Sequence, residues 1–412
     1  MSTHIHQFDN GMTLVAEELR SLESAAFCFL VPVGSAYDPP ARGGLTSFVC
    51  EMVQRGCGSM SSREFLDALE LLGVEGSESV SLAHSTYGGA TLADNLLPAL
   101  SIYADLLLRP HLPAEQLEAG RLVSLQELRG VEDEPAQKAM LELRRRHYPA
   151  PWGQPSIGDV EGLEATTIDD VRRQFAQGYR PGGTILGVAG KFDWEALKSH
   201  VGELFSAWSV ADLPEPGYGP RGATRDHIPF ESNQTHICLA YDSVPLSNPD
   251  YFRAWGAVHV LSGGSSSRLF SEVREKRGLC YTVYAQHRLL RDRGVVTCYA
   301  GTSADRAQET LDVTMAEIER LYEGVEADEL DRLQARMKSG LLMQQESSSS
   351  RSMSIAYDWY HLGRVRDLEE VSRCVEELTP ESINSYLAGH PIANLTLLTL
   401  GPKPLEAPHG VS

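Results

Sequence analysis

The segment GGLTSFVCEMVQRGCG, residues 43 to 58, has the pattern of a helix with one apolar and one polar face. The apolar residues recur at helical spacing and predict a buried stripe, formed by Leu45, Phe48, Val49, Met52 and Val53. The opposite face carries Ser47, Cys50, Glu51 and Gln54. A thiol and a carboxylate can bind a metal ion or act on a substrate. The expected helix, over 43–56, is therefore the first candidate site.

Length, charge and cysteine content exclude several classes of protein. A chain of 412 residues is too long for one ordinary core, so two or more domains are expected. A formal net charge of -20 argues against nucleic acid and against an anionic membrane surface. No apolar run approaches the roughly 20 residues of a membrane-spanning helix, and the N-terminus has no signal-like segment. The 7 scattered cysteines indicate reduced thiols, so we expect a cytoplasmic protein, with a bacterial cytoplasm the best fit.

A proline- and glycine-rich segment divides the chain into similar halves. It predicts a linker at 213–234 between a domain at 1–212 and a domain at 235–412. Each half has an apolar strand, then a helix, and closes on another strand, at 24–34, 43–56 and 182–190 and at 235–245, 250–262 and 393–401. This order predicts an α+β fold of two homologous repeats. The serine-rich tract 343–354 is compatible with a helix or a loop.

Four segments together resemble one protein family, and the last of them is the most specific. They are GGLTSFVCEM after the first strand, SLQELRGVEDEP (124–135), YRPGGTILGVAG (179–190) and SGGSSSRLFSEVREKRGLCYTVYA (262–285). With them the chain resembles the pitrilysin/insulinase-type zinc metallopeptidases, in the short two-repeat form typified by mitochondrial processing peptidase. The resemblance covers nearly the whole chain. It implies mainly antiparallel sheets packed with helices, forming half of a clamshell around a peptide.

The resemblance also shows what is missing. Active members carry His-x-x-Glu-His on the helix that matches 43–56, and a further Glu about 75 residues on completes the zinc site. Here Ser47 and Glu51 stand at the histidine positions, Cys50 at the glutamate position and Glu127 at the distal ligand position. Only the distal carboxylate is kept, so this chain is expected to bind no cofactor, with zinc held by a partner.

Two replacements for the lost chemistry are disfavoured. Cys50 and Glu51 are adjacent, about 100° apart around a helix, which does not suit one metal ion shared with Glu127. A nucleophilic Cys50 needs a neighbouring base, and the histidines considered, His84 and His147, are distant in sequence. We expect Cys50 to be a small, half-buried side chain.

The segment VREKRGLCYTV retains residues that the family uses. Arg274 and Tyr281 match an Arg-x6-Tyr pair that faces the zinc site from the second repeat. The arginine can bind a substrate carboxylate or backbone, and the tyrosine hydroxyl can donate to an oxyanion. Arg277 and Tyr284 have the same spacing, and in a regular strand Tyr281 and Tyr284 point to opposite faces. Ordinary sheet packing with a surface arginine is the alternative.

Gly263 and Gly264 occupy the place of a longer glycine-rich loop in the noncatalytic subunit of processing peptidase. With only these two glycines, a tight connection is expected rather than a mobile loop.

These observations predict a noncatalytic subunit, not a zinc peptidase by itself. It would pair with a homologous zinc-bearing chain and contribute Arg274 and Tyr281 to hydrolysis of unfolded peptides. A structural scaffold resembling the core proteins of a respiratory complex is one alternative. A hydrolase that uses Cys50 or an unorthodox metal site is another. A homodimer and a heterodimer both remain open.

Overall fold

The computed structural model describes residues 2–210, 213–344 and 346–406, without the side chains at 342 and 344. Its strands are β1 Ser2–Gln7, β2 Thr13–Glu18, β3 Ser24–Val31, β4 Glu75–Val80, β5 Ser85–Leu92, β6 Ile185–Gly190, β7 Arg225–Pro229, β8 Gln234–Ser243, β9 Cys280–Leu289, β10 Gly294–Ser303 and β11 Thr396–Gly401. Its α-helices are α1 Leu45–Val53, α2 Ser62–Leu71, α3 Leu96–Leu108, α4 Leu117–Glu132, α5 Pro135–His147, α6 Val160–Ala165, α7 Ile168–Gly178, α8 Trp194–Phe205, α9 Tyr251–Ser262, α10 Ala307–Leu321, α11 Ala327–Gln344, α12 Ser348–Leu362, α13 Leu368–Glu376 and α14 Pro380–Gly389.

The two sheets repeat one topology. The first has the strand order β1-β2-β6-β3-β5-β4, and the second has the order β7-β11-β8-β10-β9. In each, the last strand of the repeat lies between a parallel neighbour and an antiparallel one: β6 between β2 and β3, and β11 between β7 and β8. All other pairings are antiparallel. The predicted α+β class with two homologous, mainly antiparallel repeats is therefore confirmed.

The first compact unit comprises residues 1–130, 154–218 and 343–366. Strand β3 shows how its sheet is covered on both faces, because side chains alternate between the faces of a strand. Phe27, Phe29 and Val31 point into the main core with α1, α3, α7 and α8. Cys28 and Leu30 pack on the other face with Ile355 of α12. At Gly187 of β6 a Cβ atom would lie 2.2 Å from the Ser352 carbonyl oxygen, so only glycine permits this approach of α12.

A buried ion pair fixes α12 on this sheet. The Arg351 guanidinium donates to both carboxylate oxygens of Glu17 on β2, with Nε 3.0 Å from Oε1. Each residue is only 2% exposed. A pair buried to this extent adds little net stability over apolar packing, but it leaves a costly unpaired charge when one partner is removed.

The second unit comprises residues 131–153, 219–342 and 367–412. One face of its sheet packs on α9, α10 and α14 through residues such as Leu239, Val283 and Cys298. Helix α5 lies on β8 and β11. The ring of His147, only 1% exposed, fixes this helix, because Nδ1 lies 3.0 Å from the Thr396 hydroxyl oxygen and Nε2 lies 3.3 Å from an Asp242 oxygen.

The units do not follow the domain boundaries predicted from the sequence. Segment 131–153 comes from the first half of the sequence but belongs to the second unit. Segment 343–366 comes from the second half but belongs to the first unit. The predicted linker 213–234 contains β7, which pairs with β11. The boundary at residue 212 lies outside the described residues. The cause is the need to cover the second face of each sheet, which the linear order of elements does not reveal.

The serine-rich tract 343–354 is mostly helix. It includes the end of α11 and the start of α12, where the Ser347 hydroxyl accepts from the Ser350 amide. Residue 345 lies outside the described part of the chain. None of the helices in the described residues is long and apolar enough to cross a membrane.

Replacing Arg351 with methionine is expected to reduce the free energy of unfolding by about 3–5 kcal/mol, because it leaves the Glu17 carboxylate buried and unpaired. The double variant Glu17→Met/Arg351→Met should regain most of that loss. Urea denaturation monitored by circular dichroism measures both. Arg63→Met is the control, since Arg63 pairs with Asp67 on an exposed helix face. A single variant as stable as this control would contradict the role given to the pair.

Candidate functional site

Helix α1, which carries the first candidate site, has the carboxyl group of Asp38 at its N-terminal end. Asp38, only 5% exposed, accepts from the Gly44 amide at 2.9 Å and from the Thr46 amide at 2.8 Å. The Thr46 hydroxyl donates to the same carboxylate at 2.6 Å. Burial raises the pKa of Asp38 to about 7, although these hydrogen bonds favour the charged form. Its oxygens thus accept amides that have no partner within the first turn of the helix. All five residues of the predicted apolar stripe are buried in the core. The sequence therefore fixes α1 firmly in place, whatever its other face does.

Ser47, at the first lost histidine position, is engaged in a structural contact. Its hydroxyl donates to the Ser156 carbonyl oxygen at 2.6 Å. The hydroxyl proton is thus committed to the backbone of a neighbouring loop, and a neutral serine oxygen is a poor zinc ligand in any case.

Cys50 is turned into the protein. It is 4% exposed, and the Tyr87 hydroxyl hydrogen-bonds its sulfur. The Tyr87 hydroxyl also lies 2.5 Å from the Tyr179 hydroxyl, so the thiol ends a short buried polar chain. Burial raises the pKa of the Cys50 thiol to about 12. A protonated, buried thiol is neither a ligand nor a nucleophile at neutral pH. The expected half-buried cysteine is thus more deeply buried than predicted.

The remaining acidic groups meet at the outer face of α1. Glu51 accepts from Arg55, one helical turn on, at 2.5 Å. Arg55 also donates to the Gln116 side chain at 3.2 Å. Burial raises the pKa of Glu127 on α4, and the negative charges of Glu51 and Glu78 raise it further. The face is therefore acidic, and Arg55 neutralises one of its carboxylates.

These residues do not fit a zinc ion. Ser47 hydrogen-bonds a carbonyl group, the Cys50 thiol is protonated, and Glu51 is paired with Arg55. In the part of the chain that the structure describes, no group of three or more His, Cys, Asp or Glu side chains could hold a metal ion. The donor set agrees with a helix kept for packing and not for metal chemistry.

The second unit holds Arg274 in an unusual position. Its guanidinium carbon lies 4.8 Å from the ring centroid of Phe270 and 4.8 Å from that of Tyr281. Such contacts between a cation and two aromatic faces orient the guanidinium without using its hydrogen-bond donors. Arg274 makes no ion pair with any described residue, so its donors are available for a ligand.

A β-bulge places Tyr281 beside Arg274. The pairing of β9 with β10 shifts between Gly301 and Thr302, and Tyr281 is the residue skipped by the register. A bulge re-aims the side chain at the extra position, and Tyr281 is 83% exposed. In a regular strand Cys280 and Val283 would face opposite sides. Because the bulge adds one residue, Cys280, Val283 and Ala285 all face the core. Tyr281 contacts Arg274, the residue after the core side chain Val273, whereas Tyr284 stacks on Tyr299. That Tyr281 and Tyr284 point to opposite faces stays a prediction.

Arg277 and Tyr284, the other pair with this spacing, have separate partners. Arg277 pairs with Glu272 at 2.5 Å. The Tyr284 ring instead stacks on Tyr299, with centroids 5.3 Å apart.

The glycine–serine connection after α9 is tight. At Gly263 a Cβ atom would lie 2.3 Å from the His259 carbonyl oxygen, and at Gly264 it would lie 2.1 Å from an Arg336 nitrogen. Both glycines are thus packed against their surroundings and line one side of a cleft of about 350 Å³.

Three features of these sites were missed from the sequence. Arg55 follows Glu51 at the i, i+4 spacing of a helical ion pair, which was a readable signal. Glu78 comes from β4 and had no signal in sequence, since only the sheet brings it near Glu127. The sandwich of Arg274 depends on Phe270, four residues earlier on the same helical segment, and that spacing was also readable.

The chain matches two family models. Residues 14–153 match the model of the insulinase family, peptidase family M16, and residues 165–337 match the model of the peptidase M16 inactive domain. An uncharacterized zinc protease of Bacillus subtilis is 26% identical over 383 residues, covering 91% of this chain and 92% of its own. An uncharacterized zinc protease of Mycobacterium bovis is 28% identical over 384 residues, covering 91% of this chain and 87% of its own.

Solved structures share the fold. The peptidase M16 inactive domain from Pseudomonas fluorescens has a TM-score of 0.90 at 22% identity, covering 99% of this chain and 100% of its own. A chain of complex III2 from Candida albicans has a TM-score of 0.81 at 15% identity, covering 97% of this chain and 96% of its own. At these identities the likeness concerns the fold alone.

The thiol of Cys50 is expected to stay unmodified in the folded protein. At pH 8 its raised pKa leaves almost no thiolate, whereas Cys374 is partly exposed and should react first. Labelling with iodoacetamide, mapped by mass spectrometry, measures this order, and all 7 cysteines should react after denaturation in guanidinium. Preferential labelling of Cys50 would instead support a reactive thiol.

Proposed function

The chain belongs to the insulinase family, peptidase family M16, and we propose that it is the noncatalytic subunit of a zinc peptidase in this family. In this proposal it pairs with a homologous chain that carries the intact His-x-x-Glu-His motif and the zinc ion. It binds unfolded peptides with that partner and leaves the metal chemistry to it. A bacterial cytoplasm is the proposed location, since the named relatives come from bacteria.

One observation supports the proposal. The polar groups on α1 are bonded within the chain, whereas those of Arg274 and Tyr281 are available to a ligand. On α1 each former zinc-site position has an internal partner, namely the Ser156 carbonyl for Ser47, the Tyr87 hydroxyl for Cys50 and the Arg55 guanidinium for Glu51. Arg274 and Tyr281, in contrast, are oriented but keep their polar groups available. A chain that has lost its metal ligands and keeps a ligand-binding arginine fits a role in substrate binding.

The roles proposed for this pair follow from their chemistry. The guanidinium of Arg274 can bind a peptide carboxylate or backbone carbonyl through two parallel hydrogen bonds. The hydroxyl of Tyr281 can donate to the oxyanion that forms when a peptide carbonyl is attacked. Because both groups are supplied to a site whose metal belongs to the partner, their loss would lower the activity of the complex and not that of this chain.

A scaffold without a peptidase role is the second candidate. The fold shared with a chain of complex III2 favours it, because that assembly is a structural neighbour over almost the whole chain. A scaffold has no need for an uncommitted arginine between two aromatic rings. The two candidates therefore differ in what Arg274→Ala does.

The experiment measures zinc content and peptide cleavage for this chain alone and for its mixture with the closest homologue that carries the intact motif. We expect the isolated chain to be inactive and the mixture to cleave. Tyr281→Phe is expected to lower kcat of the mixture by about 10²-fold, the usual effect of removing one oxyanion donor. Arg274→Ala is expected mainly to raise KM, since it removes a substrate contact.

Arg277→Ala is the matched control, because Arg277 lies three residues on and is bound to Glu272. It should leave kcat and KM within about twofold of the unmodified mixture, as expected for a partly exposed ion pair. Equal activity of all variants would favour the scaffold. Stoichiometric zinc with cleavage by the isolated chain would refute both.

A further inference from the structure

Three consecutive arginines at the end of α5 differ in their partners. Arg145 pairs with Glu142 at 3.5 Å, and Arg146 pairs with Asp226 at 2.6 Å. The side chain of Arg144 has neither a hydrogen bond nor an ion pair with any described residue. Arg144 is half-buried and has no carboxylate partner in a chain that carries 56 acidic residues.

The surroundings of Arg144 add a second positive charge and no negative one. In the sheet, Arg288 of β9 lies opposite Val295 of β10, and Val295 lies opposite Asp242 of β8. Arg288 therefore shares the sheet face on which His147 of α5 contacts Asp242. Burial lowers the pKa of Arg144, and the like charge of Arg288 lowers it further. Among the residues that the structure describes, Arg288 donates only to the neutral side chain of Gln286. Two guanidinium groups near each other repel unless an anion lies between them.

Two tyrosines complete this cluster. Tyr148 is only 4% exposed, and burial raises its pKa to about 12 against the opposing charges of Arg144 and Arg288. Tyr284 lies four residues before Arg288 on β9 and therefore on the same face of the strand. Neither hydroxyl group donates to a described residue. Three groups able to donate a hydrogen bond, namely Arg288, Tyr148 and Tyr284, thus lie near Arg144.

The cluster is held in place from both sides. The ring of His147 anchors α5 through the Thr396 hydroxyl, and the Tyr148 amide donates to the Arg144 carbonyl at 2.9 Å. The Tyr284 ring stacks on Tyr299, whose hydroxyl lies 2.8 Å from Nδ1 of His236. Preorganised donors of this kind bind an anion without first losing conformational entropy.

The carboxylate that interacts with Tyr148 does not neutralise the cluster. Asp242 interacts with Tyr148, but it already accepts from Arg221 at 2.9 Å and from Asn394 at 2.6 Å. Although burial opposes the effect, hydrogen bonds from His147, Asn394 and Arg221 lower the pKa of Asp242 to about 2. Its charge is therefore balanced by other groups.

We infer that Arg144, Arg288, Tyr148 and Tyr284 form a binding site for a carboxylate group of the peptide ligand. The site is separate from the Arg274–Tyr281 pair in sequence and in its contacts. Only the choice of a peptide as the source of the carboxylate rests on the proposed function. The planar carboxylate matches the fork of an arginine, and two tyrosine hydroxyls can complete its hydrogen bonds.

Fluorescence anisotropy with this chain alone tests the site. Three labelled peptides of one neutral sequence serve as probes: one with a free C-terminal carboxylate, one with an amidated C-terminus and an internal glutamate, and one amidated with no carboxylate. We expect either carboxylate peptide to bind at least about 10-fold more tightly than the third, as for one charge-assisted hydrogen-bonding pair. Which of the two binds more tightly identifies the C-terminus or a side chain as the source.

Arg144→Gln and Arg288→Gln are each expected to remove this preference, and higher salt should weaken it. Arg145→Gln, next in sequence and paired with Glu142, is the control and should bind like the unmodified chain. The melting temperature separates binding from folding: without peptide, Arg144→Gln should be as stable as the unmodified chain or more so, because repulsion is relieved. Equal binding of all three peptides, or an equal loss in Arg145→Gln, would overturn the inference. No zinc partner is present, so the result is independent of whether a mixture cleaves.

Discussion

Both sheets of this protein have an apolar or partly polar second face, and covering that face is the constraint on which the fold depends. In the first unit the cover is α12, fixed by the buried pair of Arg351 and Glu17. In the second unit it is α5, fixed by His147. Each covering helix comes from the other half of the sequence. The two repeats are thus homologous in topology but are not independent segments of chain, because neither half of the sequence contains all the surface that its own sheet must bury.

Packing fixes α1 in place, whatever chemistry its outer face has. Five apolar side chains of α1 belong to the main core of the first unit, and Asp38 accepts hydrogen bonds from its first turn. Truncating such core side chains costs about 2–5 kcal/mol each. Ser47 and Glu51 are not part of that core. Arg55 provides a positive charge beside Glu51 from within the chain.

The sequence was sufficient to predict individual helices and strands. It was insufficient to predict that α5 and α12 each cover the sheet of the other half. Period-3.6 and period-2 patterns predicted α1 and β3 because burial on one face leaves a regular trace in sequence. The same pattern on α12 reveals that one face is buried, but not which sheet buries it, since any apolar face would serve. The bulge at Tyr281 was equally hidden, because it depends on the register between β9 and β10 and not on local composition. The ion pair of Arg55 was readable, and the proximity of Arg144 to Arg288 was not.

The arginines of this chain fall into two groups, those paired with a carboxylate and those without one. This difference separates structural arginines from candidate ligand-binding ones. Arg351 is paired with the buried carboxylate of Glu17 and Arg268 with the partly buried carboxylate of Glu329, so removal of either arginine would leave a carboxylate unpaired within the fold. Arg274 and Arg144 are held by aromatic rings or by the helix backbone and have no carboxylate partner. Two aromatic rings compensate part of the hydration that Arg274 loses, whereas no negative charge compensates Arg144 among the groups that shift its pKa. In a protein with an excess of acidic residues an internal carboxylate would have been easy to supply. The proposed anionic ligands would supply the negative charge that these two arginines do not receive from the described residues.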